Sequence, residues 1–289
     1  MNLLIRADSS STIGLGHIMR DLVLAQHYPH ATITFACQDL AGNIMAQIPY
    51  SVHVLASNTP EELIELIQDK KINRVIFDHY GIDHLFEKKV KESTDVTIVS
   101  LDDTYQKHCC DILINPNIYA QEERYKELVP NRTIIRCGKE FLLIREEFHI
   151  AVQKSKLPTN AILVAMGGSD PLNLSMEVIA ALPATQPIHL ITTTANPHLD
   201  QLQVYIQLHP HITLHINTPD MATLMHQCAL AIITPSSIAH EVMFMELPFI
   251  AIQSAENQRE FVAYMKREHL SILPHFEKEP FLALLGKWL

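Results

Sequence analysis

The chain is short of cysteine, carries no excess of positive charge and has no long apolar run. It has five cysteines in 289 residues. Their odd number and irregular spacing, at Cys37, Cys109, Cys110, Cys137 and Cys228, speak against a disulfide framework and suit a cytoplasmic setting. No C-x-x-C pair occurs. His108-Cys109-Cys110-Asp111 places metal-binding residue types in a row. Neighbours on a strand point to opposite faces, so these thiols are read as buried or edge residues and no metal is expected. Acidic residues outnumber basic ones, 32 to 22, so no surface for nucleic acid is announced. No stretch approaches the ~18 apolar residues of a membrane span, so no membrane insertion is expected. The first residues, Met1 to Asp8, lack a basic n-region and read as a strand, not a signal peptide.

Signature loops are missing too. There is no G-x-x-x-x-G-K-[ST] phosphate loop, no G-x-S-x-G nucleophile elbow and no D-x-D pair to hold a metal on a diphosphate. A nucleotide bound here would have its phosphates met by amides and hydroxyls.

What is present is alternation. Apolar runs at Asn2–Arg6, Thr32–Cys37, Ser51–Leu55, Arg74–Asp78, Val96–Leu101, Asp111–Ile114 and Thr133–Arg136 read as strands. Helical patterns lie between them at Ile18–His27, Pro60–Asp69 and Leu85–Glu92. The polar, proline-bearing stretch Gln153–Asn160 reads as a linker. Alternation then restarts, with strands at Ala161–Met166, Pro187–Thr192, Ile212–Ile216, Ala229–Ile233 and Phe249–Gln253. The accompanying helices are Pro171–Leu182, His198–Leu208, Asp220–Gln227 and Ser237–Glu246, with a last one at Glu277–Leu289. Such alternation predicts an α/β protein of parallel sheets covered by helices. We expect two Rossmann-like domains, 1–152 and 161–289, with a central cleft. Ligands of such sheets bind beyond the carboxyl ends of the strands.

The sharpest signal is Ile13-Gly14-Leu15-Gly16-His17-Ile18-Met19-Arg20, between the first strand and first helix. Two glycines permit a tight turn and close approach to a ligand. His17 then stands at a helix start, where free amides favour anions. Histidine is the residue type able to take up a proton near neutral pH. Arg20 takes the place where a dinucleotide fingerprint wants a small residue, and no acidic residue follows at the ribose-binding spacing, so NAD is disfavoured. Asp21 lies one helical turn beyond His17 and is expected to orient its ring. Arg20 in the first turn opposes the helix dipole, which a bound anion would offset.

Other constellations follow apolar strands. Met166-Gly167-Gly168-Ser169-Asp170-Pro171 reads as a helix opening with Pro171 at its first position and amides free for a diphosphate. Thr234-Pro235-Ser236-Ser237 opens another helix, and Glu241 on it, accepting from two neighbouring hydroxyls, suits a ribose. Asn257-Gln258 offers side-chain amides after a further strand. Asp78-His79-Tyr80-Gly81 ends a strand, where polar residues are expected to face the cleft.

In combination these motifs resemble a known family. R-x-D…I-G-x-G-H-x-x-R-D (Arg6, Asp8, Ile13, Gly14, Gly16, His17, Arg20, Asp21) and D-H-Y-G-I (Asp78 to Ile82) are similar to the UDP-sugar hydrolase of pseudaminic acid biosynthesis. So are C-D-I-L-I-N (Cys110 to Asn115), R-C-G…L-I-R-E-E-F (Arg136 to Phe148), M-G-G-S-D, S-S-x-x-x-E and the later N-Q. The likeness runs to about Gln258; the last thirty or so residues match poorly, and Pro235 is a point of difference. It implies the two-domain glycosyltransferase B fold and cleavage of UDP-2,4-diacetamido-2,4,6-trideoxy-β-L-altropyranose to free sugar and UDP, with inversion and without metal or cofactor. It also implies His17 as general base and the stretch Ser236 to Glu241, with Asn257, at the UDP.

Most inverting glycosidases need an acid and a base. A sugar already carrying UDP has a good leaving group, so one base suffices, and histidine suits the task. The expected catalytic residues are His17, Asp78 and Tyr80. The expected substrate-binding residues are Gly14, Gly16, Arg20, His79, Gly167, Gly168, Ser169, Ser236, Ser237, Glu241, Asn257 and Gln258. The alternatives are a glycosyltransferase using the same UDP-sugar site and a non-catalytic nucleotide-sugar binding module.

Overall fold

A computed structural model describes residues 1–10, 12–155 and 159–288. The chain divides into two compact units, Met1–Leu143 and Ile144–Leu289.

Unit 1 runs β1 (Asn2–Ala7), α1 (Gly16–Gln26), β2 (Thr32–Gln38), β3 (Ser51–Leu55), α2 (Pro60–Asp69), β4 (Arg74–Asp78), α3 (His84–Ser93), β5 (Thr97–Leu101), β6 (Ile112–Asn115) and β7 (Ile134–Cys137). Its sheet has the order β3-β2-β1-β4-β5-β6-β7, with every neighbouring pair parallel. The central strands are near-continuous apolar runs because both faces are covered by helices. Leu3, Leu4, Ile5, Val75 and Ile76 are all fully buried. The strand order reverses between β1 and β4, where Ala7 pairs with Asp78. A crevice opens at such a switch point. The glycine–histidine turn after β1 and the Asp78–Gly81 turn after β4 therefore emerge side by side.

Unit 2 begins earlier than the expected 161, with α4 (Glu146–Ala151). Its six residues are too few to show periodicity, yet Phe148 is fully buried. His226 Nε2 lies 3.1 Å from the Ser155 carbonyl, so the first part of the expected linker packs on this unit. Lys156 to Pro158 of that linker lie outside the described residues. There follow β8 (Ile162–Ala165), α5 (Leu174–Ala181), β9 (Ile188–Thr192), α6 (Leu199–Gln207), β10 (Ile212–Ile216), α7 (Met221–His226), β11 (Leu230–Ile233), α8 (Ser237–Phe244), β12 (Phe249–Ile252), α9 (Arg259–Arg267), β13 (Ile272–Leu273) and α10 (Lys278–Leu285). The sheet order is β10-β9-β8-β11-β12-β13, again parallel throughout. Its switch point falls between β8 and β11. The Met166–Asp170 and Thr234–Ser237 segments leave from there. Phe281 and Leu285 seat α10 in the core of this unit, and Leu289 of the expected last helix lies outside the described residues.

The helix expected from Pro171 starts at Leu174. Asp170 adopts a positive φ of 36°, and its carboxylate accepts from the amides of Leu174 (2.9 Å) and Ser175 (2.8 Å). Pro171 thus sits in the turn ahead of the helix, and those two amides are not free for a diphosphate.

Among the described residues, no helix is long and apolar enough to cross a membrane. The five cysteines are all free thiols.

Candidate active site

In unit 1 the turn after β1 is built on Ser10. Its amide and carbonyl bond those of Gly14, and its hydroxyl accepts from Thr12 (3.2 Å) and Ile13 (2.9 Å). Gly14 has φ of 85°, which only glycine adopts readily. Around Gly16 nothing lies within 4 Å of where a Cβ would stand. The protein's own packing does not demand glycine there; close approach by a ligand would. Leu15 caps α1 without a side-chain bond, and no acidic residue occupies the first turn, so side chains leave those amides uncapped.

His17 is 7% exposed. Its Nδ1 lies 2.6 Å from Asp78 Oδ1. Arg20 Nη2 is also 3.2 Å from Nδ1, but the carboxylate is an acceptor only, and its shorter contact assigns the proton to Nδ1. Nε2 is left as the basic nitrogen, with no protein partner among the described residues. Burial alone would raise the Asp78 carboxyl; the Arg20 guanidinium and the His17 ring outweigh it and hold it well below the usual carboxylate range. Asp78 is therefore ionised and buried.

Asp21 does not orient the ring as its spacing suggests. Asp21 is fully buried, and neither of its oxygens has a hydrogen-bond partner among the described residues. Burial, and then the charge of Asp78, push its carboxyl well up, which favours the neutral acid. The ring is oriented by Asp78, from the neighbouring strand.

Arg20 departs from expectation as well. Its Nε donates to Asp78 Oδ2 at 2.5 Å and its Nη1 to Asp103 Oδ2 at 2.8 Å. Two carboxylates already offset its place in the first turn. Tyr80 is 64% exposed; its ring meets the His17 ring edge-on at 4.8 Å, and its hydroxyl donates to Asp103 at 3.1 Å. Asp103 was not among the expected residues. It follows an apolar strand, β5, at the carboxyl end, so the rule that found Asp78 applies to it equally.

His79 turns away from this cluster. Its Nδ1 accepts from the Gly81 amide (2.9 Å), so Nε2 carries the proton and donates to Asp8 Oδ2 (3.0 Å). Asp8 is itself clamped by the buried Arg6, at 2.6 and 2.9 Å, and by the Gln38 amide at 2.7 Å. Both His79 nitrogens are engaged inside the unit, contrary to the expected substrate contact. His79 braces the turn that carries Asp78 and Tyr80.

In unit 2, Gly167, Gly168 and Ser169 form an exposed loop beyond β8, with Gly167 at φ 93°. Ser236 caps α8 without a side-chain bond to it, and Ser237 is exposed. Glu241, expected to suit a ribose, accepts from Arg145 Nε at 2.8 Å through Oε1; Oε2 has no protein partner among the described residues. Burial raises its carboxyl despite that arginine. Arg145, within the L-I-R-E-E-F motif, was legible but unassigned. Gln258 folds back: its Oε1 accepts from the amides of Ser254 (2.8 Å) and Ala255 (3.2 Å). Its side chain holds its own turn, which leaves exposed Asn257 as the outward member of the pair.

Tandem parallel sheets, each with a switch point, define a class, the glycosyltransferase B-like α/β proteins. Solved structures agree. The chain superposes on the spinosyn rhamnosyltransferase SpnG with a TM-score of 0.70 at 11% identity, covering 99% of this chain and 91% of that one. It superposes on Acinetobacter baumannii MurG with a TM-score of 0.65 at 10% identity, covering 99% and 90%. No family model matches. A Campylobacter jejuni protein described as UDP-2,4-diacetamido-2,4,6-trideoxy-β-L-altropyranose hydrolase is 40% identical over 268 residues, 93% of this chain and 97% of its own. The Bacillus subtilis spore coat polysaccharide biosynthesis protein SpsG is 29% identical over 269 residues, 89% and 79%. The chain belongs to the UDP-2,4-diacetamido-2,4,6-trideoxy-β-L-altropyranose hydrolase family.

Proposed function

We propose that the protein hydrolyses a UDP-linked 2,4-diacetamido-2,4,6-trideoxy sugar at its anomeric carbon, releasing UDP and the free sugar. The observation that carries this reading is the 2.6 Å bond from His17 Nδ1 to the ionised Asp78, which leaves Nε2 free to accept a proton. Nε2 takes a proton from water as the water oxygen bonds the anomeric carbon. The bond from that carbon to the phosphate oxygen breaks, and its electron pair leaves with UDP. Attack opposite the leaving group inverts the centre. Asp78 stabilises the imidazolium that forms and, with Arg20, keeps the ring in place.

Unit 2 supplies the groups suited to the nucleotide. The Gly167–Ser169 loop, the amides opening α8 and the hydroxyls of Ser236 and Ser237 favour the departing diphosphate charge. Oε2 of Glu241 suits a ribose hydroxyl, with Arg145 holding the other oxygen, and Asn257 completes the donor set. The proposed hydrolysis needs no metal and takes place in the cytoplasm.

The test is turnover of the UDP-linked sugar without any acceptor. The wild type should release UDP and free sugar in equal amounts. His17→Asn should lose turnover while binding UDP with unchanged affinity by calorimetry. An intact sugar nucleotide, or a fully active His17→Asn, would overturn the reading.

A further inference from the structure

His108-Cys109-Cys110-Asp111 has no part in the site described above, yet it lies in a densely bonded polar cluster of unit 1. His108 is 8% exposed. Its Nδ1 lies 2.8 Å from Glu87 Oε1 on α3. The same oxygen accepts from Ser100 Oγ at 2.6 Å, and Oε2 accepts from the Cys109 amide. On its other side, His108 Nε2 stands 3.9 Å from Asp102 Oδ1. Asp102 in turn holds the following turn: it accepts from the Thr104 amide (3.0 Å) and hydroxyl (2.9 Å), the Gln106 amide (3.2 Å) and the Tyr125 hydroxyl (2.8 Å). The residue between Asp102 and Thr104 is Asp103, which receives Arg20 and Tyr80.

We propose that His108 is a positioning residue for the reaction: by bridging the Glu87 and Asp102 carboxylates it clamps the Asp102–Gln106 turn, and so holds Asp103 against Arg20 and Tyr80 beside His17. Two buried carboxylates this close repel each other, and each would move toward water or take up a proton without a cation between them. Burial would by itself lower the His108 ring, but the Asp102 and Glu87 carboxylates on either side outweigh that and raise it to about 9, which favours the charged form; its hydrogen bond is to Glu87 alone, and Asp102 meets the buried, unbonded Nε2 as an opposite charge at 3.9 Å. The surface hollow beside the ring is lined by His84, Lys88, Lys107 and Glu127, none of them bonded to either ring nitrogen. Asp103 is covalently next to the clamped residue, and among the described residues it bonds Arg20 and Tyr80 and no member of the cluster. A shift of that turn therefore reaches the active site through Asp103, Arg20 and Asp78 in succession.

The inference rests on the hydrolase reading for its kinetic readout, so a second readout is taken on the resting protein. His108→Asn retains a donor at the Nδ1 position toward Glu87 but removes the charge facing Asp102. We expect kcat to fall about tenfold, with KM and UDP affinity unchanged, since the nucleotide partners belong to unit 2. The His17 ring nitrogen resonances should move by NMR in the direction produced by Asp103→Asn. In the background of Asp103→Asn, adding His108→Asn should cost nothing further, because the lever it works through is gone. Tyr125→Phe loosens the same turn from its far side and serves if His108→Asn fails to fold; it should show the same kcat loss and the same lack of additivity. Additive losses, a loss in KM alone, or unmoved His17 resonances would overturn the proposal. A wild type without turnover but with His17 resonances coupled to residue 108 would sink the hydrolase reading and leave the clamp standing.

Discussion

Replacing Asp78 by Asn isolates the group on which the proposed chemistry turns. The substitution is nearly isosteric, so the packing around a residue 1% exposed is kept. It removes the negative charge facing His17 Nδ1 at 2.6 Å and Arg20 Nε at 2.5 Å. Losing a charge-assisted hydrogen bond costs about 1.5–3 kcal/mol, or roughly 10- to 150-fold in rate. A larger effect follows from the proton. An amide NH2 at this position donates to Nδ1, which moves the imidazole proton to Nε2 and removes the lone pair that water needs. Tautomer reversal of this kind in a serine protease triad costs about 10⁴ in kcat. We therefore expect kcat for UDP release to fall about 10³- to 10⁴-fold, with UDP affinity by calorimetry unchanged. Stability should fall by only about 1–3 kcal/mol, because Arg20 retains Asp103. A variant within about threefold of wild-type kcat would refute the assignment of Asp78 and the tautomer argument together.

Chelation by EDTA should leave the rate unchanged, measured as initial velocity with and without added magnesium. Glu241→Ala should weaken UDP binding about tenfold or more by calorimetry and alter kcat less, since the ribose then loses its acceptor and Arg145 keeps only Glu147. Gly81→Ala should destabilise the protein by about 1–3 kcal/mol in urea titration, because a Cβ there would stand 2.8 Å from His79 Cε1 and dislodge the brace behind Asp78. The clamp predicts a pH window for stability. His108, raised from 6.5 to about 9, contributes fully below 6.5, and its contribution is lost as pH rises through 9. Asp102, lowered from 3.8 to about 2, contributes above 3.8 and loses its contribution as pH falls through 2. Urea midpoints between pH 5 and 10 should show the alkaline loss in the wild type and a flatter limb in His108→Gln.

The central strands were legible because their apolar runs are buried on both faces, as in Arg74–Asp78; the edge strands Ser51–Leu55 and Ile212–Ile216 are partly exposed, yet they too lie where the residues placed them. The switch points put the glycine–histidine turn, Asp78 and the two serines at strand ends, so their neighbourhood was legible too. Long-range partnership was not. Helical spacing suggested Asp21 for His17, whereas the partner is 61 residues away on another strand. Spacing reports which residues share a helix face but not which lone pairs meet across a sheet. For the same reason Arg20, His79, Glu241 and Gln258 looked available when each is engaged by a protein group. Asp170 shows a local failure: its positive φ and side-chain capping delay α5 by a turn, and composition alone favoured the simpler opening at Pro171.

The Arg20 guanidinium laces together the ends of β4 and β5 with the helix that follows β1. Folding itself thus assembles the reactive constellation, and an arriving sugar surrenders little of its binding energy to ordering it. Compounds that mimic the flattened, positively charged sugar of the bond-breaking moment should find their electrostatic socket ready-made in unit 1.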